Sequence, residues 1–98
     1  MLLDLGLFLL TNKDTTCSGH SGQTPVYNYD DCKLAVTYIR SKYPGVTGKD
    51  PTRETEKEYP KGCYVYTEDG SDYGVTFNNH GVGRKNQDSR QVCKTGKN

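Results

Sequence analysis

Ninety-eight residues make one domain rather than two. Only 32% of them are apolar and the mean hydropathy is −0.88, which excludes a large aliphatic core and leaves no run long enough to cross a bilayer. A net charge of +1 excludes the strong positive field that non-specific nucleic-acid binding needs.

Residues 1–10, MLLDLGLFLL, are the one hydrophobic run. They are open to two readings. One is the apolar part of a secretory signal, although no basic residue precedes it, Asp4 interrupts it and no small-x-small cleavage site follows. The other is a retained strand with Leu3, Leu5, Leu7 and Leu9 on one face, which needs a partner surface and would invite edge pairing with a second copy. The expected division is therefore 1–11 as leader or strand and 12–98 as a single folded domain.

Residues 12–26 read as loop, rich in Thr, Ser and Gly, with Cys17 inside it. Residues 28–42 read as a helix. Asn28 suits the N-cap, and Asp31 suits the position three residues on. Asp30 and Asp31 complement the positive end of the helix dipole, and Arg40 and Lys42 the negative end. Cys32, Ala35, Val36, Ile39 and Tyr43 recur as one apolar stripe, and Pro44-Gly45 ends it. Leu34 is counted with the core.

Residues 46–61 read as a long, polar, mobile connection. A β-hairpin follows. Residues 62–67 alternate, with Cys63 and Val65 on one face and Tyr64 and Tyr66 on the other; Tyr73, Val75 and Phe77 share a face on the return. Asp69-Gly70 supplies the turn. Residues 78–90 read as a second long loop, and 91–94 as a short strand that places Cys93.

So thin a core calls for covalent help. The four cysteines form no Cys-x-x-Cys pair, and neither His20 nor His80 stands at finger-like spacing. That favours two disulfides over zinc, each worth about 3–4 kcal/mol, and an oxidising, extracellular or cell-surface compartment. The inner faces of helix and hairpin suggest Cys32–Cys63, which leaves Cys17–Cys93. Four cysteines allow three pairings, and sequence alone does not choose between them. The expected fold is α+β: one helix on a three- to four-stranded antiparallel sheet, stapled by two disulfides.

Chemistry is sparse. Ser71, His80 and Asp72 are the only nominees for a nucleophile set, and nothing in their spacing singles them out. Glu54, Glu56 and Glu58 lack the spacing of a calcium loop, and Gly81-Val82-Gly83 lacks that of a phosphate loop. No cofactor or metal is expected. Eight tyrosines without a tryptophan are more suggestive. Tyr64 and Tyr66, with Asn79, His80 and Arg84, are the candidate binding residues, for a protein or a glycan. The competing reading has residues 44–61 folding over the tyrosines, or the tyrosines stabilising the ribbon by cross-strand pairing. Charge runs from −3 over residues 1–32 to +4 over residues 78–98, which reads as a solvated surface, with head-to-tail contact between copies as the alternative.

Four short motifs carry a resemblance: Asp-Cys-Lys-x-Ala at 31–35, Tyr-Pro-Lys-Gly-Cys-Tyr at 59–64, Val-Thr-Phe-Asn at 75–78 and Val-Cys-Lys at 92–94. Over roughly residues 28–94 the chain resembles small cysteine-stapled modules of secreted or surface proteins from algae and other protists. The resemblance implies an extracytoplasmic, disulfide-bonded, non-enzymatic module and adds no catalytic residue. The function expected is a structural or adhesive module, open to polymerisation through residues 1–10. The alternatives are a small secreted effector, toxin or inhibitor, or an accessory subunit of a larger assembly.

Overall fold

The computed structural model describes residues 8–19 and 22–95 and is mainly β. In chain order the elements are β1 (Phe8–Leu10), a 3-10 turn (Cys17–Gly19), β2 (Gln23–Pro25), α1 (Tyr29–Lys42), β3 (Thr47–Glu54), β4 (Pro60–Glu68), β5 (Ser71–Gly83) and β6 (Ser89–Thr95). The expected α+β fold with a small antiparallel sheet is thereby corrected. Six strands form one mixed sheet in the order β1-β6-β4-β5-β3, with β2 also on β6, and β3 runs parallel to β5.

Two segments read as loops account for the difference. Residues 46–61 contain β3, an edge strand whose side chains are mostly exposed, with Pro51 buried among them. An edge strand open to solvent on both faces has no reason to alternate, and it tolerates proline and charge. Residues 78–90 contain the second half of β5. The pairing steps from Gly62↔Asn78 to Pro60↔Gly83, so residues 79–82 bulge out as a blister while the strand carries on.

The helix forms for the reasons the sequence suggests. The Asn28 side chain accepts the Asp31 N–H at 3.0 Å, and the Tyr43 N–H closes the last turn on the Ile39 carbonyl at 2.7 Å. Cys32, Ala35, Val36 and Ile39 are buried. Leu34 lies about half a helical turn from both Cys32 and Val36 and is 56% exposed, so it leaves the predicted core.

The helix covers one face of the sheet. Val65, Val75, Phe77 and Val92 meet it there, joined by Phe8 and Leu10 from β1 and by Val26. The register explains which residues of β1 turn inward. Leu10 pairs with Val92 and therefore faces the helix, whereas Leu9 pairs with Cys93 and faces away. The expectation that Leu9 belongs to the inward row is corrected; Leu3, Leu5 and Leu7 lie outside the described residues. The Phe8 ring packs against Tyr38 at 5.4 Å, and the Leu10 N–H donates to the Tyr43 hydroxyl at 3.2 Å, which covers part of the β1 edge. Residues 8–10 are thus engaged within their own chain.

The hairpin turn is the tight kind expected of Asp-Gly. Glu68 pairs with Ser71, and Asp69 and Gly70 both take positive φ, 53° and 78°. One residue nearby changes face. Between Val65↔Val75 and Thr67↔Asp72 the register shifts, which moves Tyr73 off the Val75–Phe77 face, and its ring packs against Tyr66.

Both disulfides are present, Cys32–Cys63 and Cys17–Cys93. Alternation along β4 and β6 puts Cys63 with Val65 under the helix and Cys93 with Gln91 on the opposite face. Each face of the sheet therefore carries one cross-link.

Candidate functional site

The face away from the helix is built from tyrosine and buried amides. Tyr64 and Tyr66 project from β4, and Tyr59, in the connection from β3, folds over them. Tyr59 stacks on Tyr64 with centroids 5.3 Å apart and planes 9° apart, and meets Tyr66 edge-on at 6.2 Å. Tyr66 in turn meets Tyr73 at 5.9 Å, so four rings run as a ladder.

The ladder is unevenly exposed. Tyr64 is 2% exposed and its hydroxyl donates to the Glu54 carboxylate. Burial first, then that hydrogen bond, pushes its hydroxyl well above the ordinary tyrosine range. Tyr64 thus holds the sheet together rather than facing a partner: Tyr59, from residues 44–61, folds over it as the competing reading has it, and the reading of Tyr64 as an exposed binding residue is corrected. Tyr66 is partly exposed and donates to Glu68 at 3.2 Å, and Tyr73 is 46% exposed. The Tyr59 hydroxyl is also raised, by burial and then by Asp88, Glu54, Glu56 and Glu68. These carboxylates put Tyr59 in a negative local field.

Two buried amides hold this face in shape. Asn78 is fully buried. Its Nδ2 donates to the carbonyls of Glu56, Tyr59 and Pro60 at 2.6, 3.0 and 3.0 Å, and its Oδ1 accepts the N–H groups of Glu56 and His80 at 2.8 and 3.2 Å. Gln91 accepts the Cys17 N–H at 2.8 Å and donates to the Lys61 carbonyl at 3.0 Å. Asn78 reads as a surface loop residue in the sequence, yet it pins the segment that carries Tyr59.

The other candidates lie around the blister. The His80 Nδ1 accepts the N–H groups of Val82 and Gly83 at 3.1 and 3.0 Å, so its ring closes the blister. Asn79 is exposed and borders a shallow hollow shared with Arg53 and Glu54. Arg84 is exposed, pairs with Glu58, and lines a hollow with His80 and Lys57. The five candidates therefore divide. Tyr64 and Tyr66 belong to the ladder, Asn79 touches its margin through Glu54, and His80 and Arg84 stand elsewhere.

The nominees for catalysis are engaged separately: Asp72 takes Arg90 at 2.9 Å, and His80 takes backbone donors. Of the three glutamates weighed for calcium, Glu54 holds Tyr64 and Glu58 holds Arg84. Among the described residues no group of three or more His, Cys, Asp or Glu side chains could hold a metal ion, and no helix is long and apolar enough to cross a membrane.

One cleft went unread in the sequence. It measures about 220 Å³ and lies between the 3-10 turn, the β2–β4 junction and the blister. Thr16, Ser18, Tyr27, Lys61, Val82 and Arg84 line it, and the Lys61 ammonium sits 4.5 Å from the centre of the Tyr27 ring. Tyr27 lies against Gly62, where φ is +89° and a Cβ would stand 2.3 Å from the Val26 carbonyl oxygen. The glycine in Lys-Gly-Cys was the available signal for that close approach.

No family model, curated protein or solved structure matches the chain.

Proposed function

We propose that the protein is a non-catalytic adhesive module that holds a basic segment of a protein partner against its tyrosine face. The observation that carries this reading is the acid-rimmed ladder. Tyr59, Tyr66 and Tyr73 offer rigid, amphipathic rings that lose little side-chain entropy on binding. Glu54, Glu56, Glu68 and Asp88 place negative charge near Tyr59, and Glu68 and Asp88 do the same near Tyr66. Lysine and arginine side chains fit both features, through cation–π contact and charge complementarity.

Two disulfides in a small domain are consistent with an oxidising environment. Within that environment we place the module outside the cell or at its surface, in keeping with the resemblance of residues 28–94 to secreted modules.

The test is titration of the oxidised full chain with an immobilised lysine- and arginine-rich peptide, beside an acidic peptide of the same length. The basic peptide is expected to bind. The Tyr66→Ala/Tyr73→Ala variant, with its melting temperature checked, is expected to bind about tenfold more weakly or worse. Equal binding by the variant, or equal binding of the acidic peptide, overturns the reading.

A further inference from the structure

We infer that the cleft at Tyr27, Lys61 and Arg84 is a second binding site, for one unit of an anionic saccharide carrying a carboxylate or a sulfate. It is independent of the tyrosine ladder and opposite to it in charge preference.

The charge argument comes first. Among the described residues, two cations line the cleft and no carboxylate does. Among the described residues Lys61 has no carboxylate partner. Arg84 gives one nitrogen to Glu58 in an exposed pair, with side chains 69% and 47% accessible, and such a pair is readily exchanged. The remaining guanidinium donors suit the two oxygens of a carboxylate or sulfate.

The rest of the lining suits a sugar rather than a bare ion. Tyr27 is 53% exposed and offers a ring edge and face for sugar C–H groups. Thr16 and Ser18 share a hydrogen bond at 2.9 Å and line the cleft beside it, so hydroxyl donors and acceptors are at hand for sugar hydroxyls. At about 220 Å³ the space falls below the roughly 300–1,000 Å³ typical of drug-sized pockets, which suits a single sugar ring.

The walls are also tied before any ligand arrives. The Cys17–Cys93 disulfide anchors the 3-10 turn, and Gln91 bridges that turn to the backbone of Lys61. The Arg84 N–H is held by the Tyr59 carbonyl at 2.9 Å, and the Gly83 N–H by His80. A preorganised site loses less affinity to ordering.

The experiment is a titration of the oxidised full chain, followed by two-dimensional NMR, with four probes: a sulfated disaccharide, a uronic-acid disaccharide, a neutral disaccharide and inorganic sulfate. At least one anionic disaccharide is expected to shift the Lys61 and Tyr27 signals saturably and to bind about tenfold more tightly than the neutral one. Lys61→Gln and Arg84→Gln are each expected to weaken that binding about tenfold with the melting temperature unchanged. Tyr27→Ala is expected to weaken the disaccharide and leave inorganic sulfate as it was. The inference fails if the neutral disaccharide binds equally, if sulfate alone binds as tightly as the sugar, or if Lys61→Gln binds like the parent. Binding of the basic peptide at the ladder is scored separately, so the two readings stand or fall apart.

Discussion

The two faces of the sheet are held by different chemistry. Under the helix, Val65, Val75, Phe77 and Val92 pack against Ala35, Val36 and Ile39, with Cys32–Cys63 fixing the helix to β4. On the other face, Asn78 and Gln91 hold backbone in place, Tyr59 roofs Tyr64, and Cys17–Cys93 fixes the 3-10 turn to β6. The first face draws on apolar contact, which is forgiving of small shifts in shape. The second draws on hydrogen bonds, where loss of one partner leaves others unsatisfied. A chain with few aliphatic side chains can still cover both sides of a sheet if one side is closed by amides and tyrosines.

The largest expected effect treats both faces alike. Reduction of the two disulfides is expected to remove several kcal/mol, about 2–5 for each, and to unfold the chain at 37 °C. Far-ultraviolet circular dichroism with and without reductant checks it; a reduced chain with an unchanged melting curve would show that the apolar face suffices alone.

A smaller effect separates the faces. Asn78→Ala is expected to cost on the order of 3 kcal/mol, because five backbone groups lose one shared partner. Hydrogen exchange should then quicken at Glu56 and His80 while amides within α1 stay protected. Uniform quickening would mean that the two faces open together.

The smallest effect depends on pH. Tyr64 keeps its proton more tightly folded than unfolded, so its contribution is complete below the ordinary value of 10.0 and declines as pH rises above it. Tyr64→Phe is expected to cost about 1 kcal/mol at neutral pH through the lost bond to Glu54, and to flatten the alkaline decline. Urea melts at pH 7 and above pH 10 measure both.

The contrast also explains what could be read from the residues alone. The helix was legible because Asn28, Asp31 and the stripe from Cys32 to Ile39 act locally. The hairpin turn was legible because Asp69-Gly70 prefers positive φ. β3 was not, because an exposed edge strand needs no alternating pattern. Alternation alone puts Tyr73 on the wrong face because a bulge is set by pairing, not by the strand's own sequence. Asn78 and Gln91 were missed because a polar side chain that gathers distant carbonyls looks the same in sequence as one in water. The cleft at Tyr27 was missed for a related reason: its walls come from segments spread between residues 16 and 91.

The Cys17–Cys93 bond joins residues 76 positions apart in the sequence. Any single peptide bond hydrolysed between those two cysteines opens the backbone without releasing a fragment, because the two halves stay joined through sulfur. A clipped molecule would migrate as two pieces under reducing electrophoresis and as one piece otherwise. In surroundings that contain proteases, the molecule therefore stays in one covalent piece after a first cut between them.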